Sequence, residues 1–178
     1  MNIFYLDNDP TICAQMHNDK HCVKMIVEYA QILSTTHRVL DGEQYLDTSA
    51  SGRKVIRWRL PDNREKTLYQ ATHFKHPSAI WTRQTDKNYY WLYRLFCSLL
   101  DEYSYRYSKA HKSSELIKPL LSVPENIKSG EFTEPTPAMP DAYKVAGNSI
   151  LSYHNYYRYG KEHLAKWSKR SIPMFLAK

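Results

Sequence analysis

The sequence predicts a mostly α fold: a compact single-domain helical fold with a long central helix and a small β-hairpin insertion. Three observations carry this prediction. Apolar residues recur every three or four positions over 12–33 and 80–103, one short stretch at 55–60 alternates instead, and 178 residues suffice for one core but are few for two.

In chain order, residues 2–6, NIFYL, are apolar and suit a short strand or a buried arm. Asp9 followed by Pro10 reads as a helix start, with Asp as N-cap and Pro at the first helical position. Ile12, Met16, Val23, Ile26, Val27, Ala30 and Leu33 then give that helix one buried face, out to about Arg38, unless Asn18 and Asp19 break it and cap a second helix. In the hairpin insertion, about 42–61, Ile56, Trp58 and Leu60 alternate with Val55, Arg57 and Arg59, and Gln44 to Leu46 is the partner strand. Two strands alone are marginally stable, so the hairpin must lean on the helices.

Arg64 to Thr72 reads as a short helix that ends before HFKHP. After Pro77 a single long helix carries Ile80, Trp81, Trp91, Leu92, Leu95, Phe96, Leu99 and Tyr103. Five prolines, from Pro119 to Pro140, punctuate an extended loop that should pack over the helices. A last helix, from about Asn148 to Ser168, carries YHNYYRYGKEHLAKW, and the whole of 1–178 reads as one domain without internal repeats.

Charge and composition narrow the partners. Lys and Arg number 25 against 18 Asp and Glu, and this formal charge of +7 favours a polyanion. Fifteen Tyr and four Trp lie among those cations, the mixture that stacks on bases while neutralising phosphates, although a Tyr-rich core gives the same count. Three Cys without a CxxC pair, and no signal peptide, suggest free thiols in a reducing cytoplasm, the host's if the chain is phage-encoded. No apolar run reaches the roughly 18 to 20 residues of a membrane span. Five glycines form neither a Walker loop nor GxGxxG, and no nucleophile elbow is present.

On a continuous helix, His17, His21, Lys24, Glu28 and Gln31 fall in one narrow polar sector, which is either a solvated face or one wall of a site. Asp19 points the other way, into the apolar sector, so it should be a cap or a buried carboxylate paired with Arg or Lys. His17 and His21 could hold a metal with His73 or His76 as third ligand, but the spacing is common and lacks an acidic or Cys cluster, so neither metal nor cofactor is expected. Arg53, Lys54, Arg57, Trp58 and Arg59 in the hairpin, and Tyr156, Tyr157, Arg158, Tyr159 and Lys161 near the C-terminus, could bind phosphates and bases or could divide into core and solvated faces. In HFKHP, His73, Lys75 and His76 could orient a phosphate or abasic sugar, or cap the next helix.

Taken in order, DKHCVKMIVEYAQIL, HPSAIW and the aromatic helix ending DEYSYRY resemble the pyrimidine-dimer DNA glycosylase family, the small helical endonuclease V type, and YYRYGK is similar to the Tyr- and Lys-rich tail of the phage enzyme. The resemblance covers roughly two thirds of the chain and its motifs are of modest specificity. It implies a metal-free DNA glycosylase and abasic-site lyase acting on double-stranded DNA with a damaged or modified base. In that chemistry the N-terminal α-amine attacks the sugar C1′ and forms a Schiff base, while a helical Glu stabilises the cationic sugar and moves protons. An α-amine suits the task because its ordinary pKa, about 8, leaves part of it neutral near pH 7.

Carried over, Glu28 matches the catalytic Glu, His21 would position the sugar or a phosphate, and Lys24 and Arg38 would hold the DNA backbone. Arg57, Arg59, His73, His76, Tyr157, Arg158 and Lys161 would complete the DNA-binding surface. The chain departs from the family at the amine: Met1-Asn2 stands where the phage enzyme exposes Thr after its Met is removed. Either Met1 or Asn2 supplies the amine, or the lyase chemistry is absent. Two other readings remain: a non-catalytic nucleic-acid-binding protein, and a phage-type base or nucleotide modification enzyme on the same scaffold.

Overall fold

Two long helices, α2 (Asp19–Asp41) and α5 (Asp86–Tyr107), pack on each other and organise a mostly α-helical structure, a computed structural model that describes residues 1–177. Around them lie α1 (Pro10–Met16), a hairpin of β1 (Glu43–Thr48) and β2 (Lys54–Arg59), and the short helices α3 (Arg64–Thr67), α4 (Pro77–Thr82), α6 (Ile117–Leu120) and α7 (Ser149–Asn155). One hydrophobic core runs from Ile3 to Trp167. Among the described residues no helix is long and apolar enough to cross a membrane.

The first predicted helix is two helices. Asp9 caps α1 by accepting the Thr11 and Ile12 amides, His17 then turns extended, and Asn18 caps α2 by accepting the His21 amide at 2.9 Å. Asp19, which a continuous helix would have aimed into the core, instead accepts from Arg106 at 3.1 Å and from the amide and hydroxyl of Ser168 at 2.8 and 2.7 Å. The break also removes His17 from the polar stripe. Its ring is buried, with Nδ1 2.7 Å from the Cys13 carbonyl and Nε2 2.7 Å from the Tyr29 hydroxyl.

The helix expected after Pro77 also divides, because Thr85 is extended and caps α5 by accepting the Asn88 amide. The expected helix over 64–72 stops at Thr67. Leu68 turns extended, and its carbonyl and that of Tyr69 accept from Arg38 rather than continuing a helical ladder. The last α-helix ends at Asn155, followed by a π turn at Tyr156–Gly160 and a strap with single 3-10 turns at Glu162–Leu164 and Met174–Leu176. Tertiary bonds override helix propensity there: the Trp167 indole donates to the Met16 carbonyl and the Asp19 amide to the Lys166 carbonyl, tying the strap across the α1–α2 junction.

The hairpin pairs Gln44 with Trp58 and Leu46 with Ile56. Trp58 and Leu60 are buried, and Trp58 packs edge-on against Phe74, which is how the hairpin leans on the helical body. Residues 2–6 form a buried extended arm with no sheet partner, so its backbone must be satisfied by side chains. The Ile3 amide donates to Asn2 Oδ1, the Phe4 amide to the Tyr29 hydroxyl and the Leu6 amide to Cys13 Sγ, while the Leu6 carbonyl accepts from His154 Nε2 at 2.8 Å.

Candidate active site

The arm delivers the start of the chain to the polar side of α2. The Met1 amine nitrogen lies 3.4 Å from Glu28 Oε2, and the Asn2 amide donates to the same oxygen at 3.1 Å. One helical turn earlier, the Lys24 ammonium sits 3.2 Å from Glu28 Oε1. Both carboxylate oxygens are therefore engaged by nitrogen donors, while the Glu28 side chain keeps 13 % of its surface open and the Met1 side chain only 2 %.

Asn2 fixes this geometry. Its Nδ2 donates to the Ala138 carbonyl at 2.9 Å and its Oδ1 accepts from the Tyr153 hydroxyl at 2.7 Å as well as from the Ile3 amide. The Pro-rich loop thus packs over the helices, as expected, and also anchors the N-terminus. Sequence reasoning missed Tyr153 and Ala138. They lie 151 and 136 residues from Asn2 and carry no local signal of that role.

His21, about two turns before Glu28 on α2, is buried. It stacks on Phe4 with ring centroids 4.1 Å apart, and its Nδ1 accepts from the Tyr157 hydroxyl at 2.7 Å, with Asn18 Nδ2 at 3.3 Å. Two donors at Nδ1 put the remaining proton of the neutral ring on Nε2. Burial, followed by the charges of His17, Lys161, Lys24 and Lys20, pushes its pKa down to about 3, so His21 is neutral near pH 7. It can position a group by donating a hydrogen bond, but it is not a cation.

His76 lies within electrostatic reach of the Met1 amine and Glu28. Its Nδ1 accepts the Ser78 amide at 3.2 Å as the cap of α4, so the capping role is real. Burial, then the charge of the Met1 ammonium and of His73, lowers its pKa, while Glu28 opposes the shift. His76 therefore feels both members of the amine–carboxylate pair. His73 is exposed, with left-handed backbone at φ 48°, and its carbonyl accepts the His76 amide at 2.8 Å.

Two residues expected at a DNA surface are structural. Arg38 is fully buried and spends its guanidinium on Glu65 Oε2 at 2.6 Å and on the carbonyls of Trp58, Glu65, Leu68 and Tyr69. On the helix Arg38 lies only about 40° from Lys24; it is buried because residues 58–69 cover this end of α2, where Ser34 to Arg38 are all buried. Tyr157 is 2 % exposed, and its ring and hydroxyl support Phe4 and His21 rather than a base.

The other predicted contacts remain at the surface. Arg57 is half-buried and paired with Asp47 at 2.7 Å, and Arg59 is exposed, its guanidinium 4.9 Å from the Tyr45 ring centre. Arg158 is exposed and donates to the Phe175 carbonyl, and the Lys161 ammonium lies 4.9 Å from the centre of the Tyr156 ring. The structure brings Met1, Asn2 and Lys24 onto Glu28 at the start of the arm, with His21 packed on Phe4 further along it, and the charges of Lys161 and Lys24 act on His21. Among the described residues no group of three or more His, Cys, Asp or Glu is arranged to hold a metal ion. Comparisons with protein-family models, with curated proteins and with solved structures give no match to this chain.

Proposed function

We propose that the protein is a DNA base-excision enzyme, a glycosylase and abasic-site lyase that uses an N-terminal amine and Glu28. The observation that carries this reading is the 3.4 Å contact between the Met1 amine and Glu28 Oε2, made by a buried arm whose Asn2, Ile3, Phe4 and Leu6 amides are hydrogen-bonded to side chains. A buried arm that ends against a carboxylate is a costly way to store a terminus unless the amine is used.

In this reading Glu28 takes a proton from the ammonium, freeing its lone pair. The nitrogen bonds to C1′ as the glycosidic bond breaks, the base leaves with that electron pair, and Glu28 passes to it the proton taken from the amine, which returns Glu28 to its carboxylate. The new amine nitrogen then gives its extra proton to Glu28, its lone pair opens the C1′–O4′ bond, O4′ receives that proton from Glu28, and a protonated Schiff base faces the restored carboxylate. Glu28 sits where the positive charge develops and stabilises it, as a fixed carboxylate does best in a partly desolvated site. His21 donates through Nε2 to the sugar or a phosphate, and Lys24 and Lys161 neutralise the backbone.

The test is borohydride reduction with duplexes carrying a pyrimidine dimer, a modified base or an abasic site. A covalent protein–DNA adduct is expected, lost in Glu28→Gln. Absence of both adduct and strand cleavage on every damaged duplex sinks the reading.

A further inference from the structure

We infer that a second site, a groove between the edge of β2 and residues 71–74, takes one unstacked nucleotide of a nucleic-acid strand. The groove has a volume of about 410 Å³ and is lined by Lys54, Val55, Ile56 and Arg57 on one side and by Ala71, Thr72, His73 and Phe74 on the other. That volume is of the size that one nucleotide fills.

The lining is mixed in the way a nucleotide requires. Ile56 is 37 % exposed and Phe74 half-buried, giving an apolar wall for a base. Lys54 is exposed with no acidic partner across the strand, where it faces Thr48, and Lys75 at the rim has its ammonium 5.7 Å from the centre of the Phe74 ring. Arg57 is balanced by Asp47, whereas residues 71–75 contain no acid, so the slot as a whole is cationic. Cations beside an apolar face fit a base and its phosphate better than they fit a neutral peptide.

His73 shows that this wall is held on purpose. A left-handed histidine costs on the order of 1 to 2 kcal/mol against an ordinary conformation, and here the conformation is over-determined. The Thr72 amide donates to Oγ1 of fully buried Thr35 at 3.1 Å, and the Thr35 hydroxyl donates back to the Thr72 carbonyl at 3.4 Å. The His73 ring is then fixed by a 2.7 Å bond between Nδ1 and the Thr72 hydroxyl. The same turn carries His76, whose ring feels the charges of the Met1 amine and Glu28, so the groove and that pair are linked through residues 73–76.

The inference rests on the nucleic-acid reading above for its partner and not for the chemistry at Glu28. Its test is fluorescence anisotropy with a short labelled thymidine oligonucleotide, using the full chain, Lys54→Glu and His73→Gly, the last of which the left-handed backbone accepts without strain. The parent should bind, Lys54→Glu should weaken binding about tenfold and reduce the salt slope by about one, and His73→Gly should weaken it about fivefold while its unfolding midpoint is unchanged or raised. No binding by the parent, or equal binding by all three, overturns the slot. So does tighter binding of an acidic peptide than of the oligonucleotide. The borohydride adduct separates the two proposals: an adduct without oligonucleotide binding removes the groove alone, and binding without an adduct removes the lyase alone.

Discussion

The backbone nitrogens of Met1 and Asn2 reach the same oxygen of Glu28, at 3.4 and 3.1 Å. Consequently the identity of the terminal residue matters less than the position of the arm. A chain starting at Asn2 would present its amine to Glu28 without any shift of the arm, because the Asn2 side chain is already held by Tyr153 and Ala138.

Trapping should therefore survive removal of Met1 to within about tenfold, with the adduct mapped by mass spectrometry to Asn2 instead of Met1. Adding Gly-Ser ahead of Met1 should lower trapping at least about a hundredfold, since the new amine lies well beyond the Glu28 oxygen. Equal trapping by the extended chain would remove the terminal amine from the chemistry.

Arg38→Ala should act on the fold, not on DNA contacts. Four carbonyls lose their donor, while the Glu65 carboxylate loses its cation but keeps the Leu60 amide and a partly exposed side chain, a change expected to cost about 3 kcal/mol. Urea unfolding measures it. Arg38→Lys cannot restore the fork that spans these acceptors and should recover less than half.

Tyr157→Phe removes the hydroxyl that donates to His21 Nδ1 and should cost about 1 to 2 kcal/mol in unfolding free energy. Affinity for duplex DNA should change less than about twofold, because the ring is buried. A large loss of affinity with unchanged stability would restore Tyr157 to the binding surface.

Stability should fall with acidification below about pH 6.5. Burial pushes His17 and His37 down to about 4 and His21 to about 3, from an ordinary value of 6.5. Between those limits the unfolded chain binds protons that the folded chain refuses, so each histidine's contribution is complete above its unfolded pKa and is lost as pH falls toward its folded one. The slope is at most about 1.4 kcal/mol per pH unit for each histidine. Urea midpoints at pH 7 and 5 read it out, and His17→Gln should flatten the dependence. An unchanged midpoint would mean that these rings titrate normally.

Much of the fold was legible because periodicity reports burial. The helical classes of 12–33 and 80–103, the strand at 55–60 and the cap at Asp9 all follow from residues within one turn of each other. What sequence left open or misread was decided by distant partners. Asp19 was recognised as a carboxylate needing a cation, but nothing local named Arg106; Arg38 was read as surface because its acceptors lie on segments 20 to 31 residues further on. The helices at 64–72 and 148–168 ended early for the same reason, since Arg38 and the α1–α2 junction claim backbone groups that a helix would use. In the candidate site, Lys24 and Glu28 were readable as neighbours at i and i+4, and Tyr153 was not.

The arm has a kinetic consequence. Residues 2–6 have no strand beside them, and they are held by hydrogen bonds with Cys13 and Tyr29, with Ala138 in the Pro-rich loop, and with Tyr153 and His154 in α7. Although these residues precede their partners in the chain, they can be seated only once α7 has been made, since closing such distant contacts must await the segments that make them. The pairing of amine and carboxylate is thus a late event in folding. A truncated or half-folded chain carries Glu28 on its helix but leaves the amine adrift.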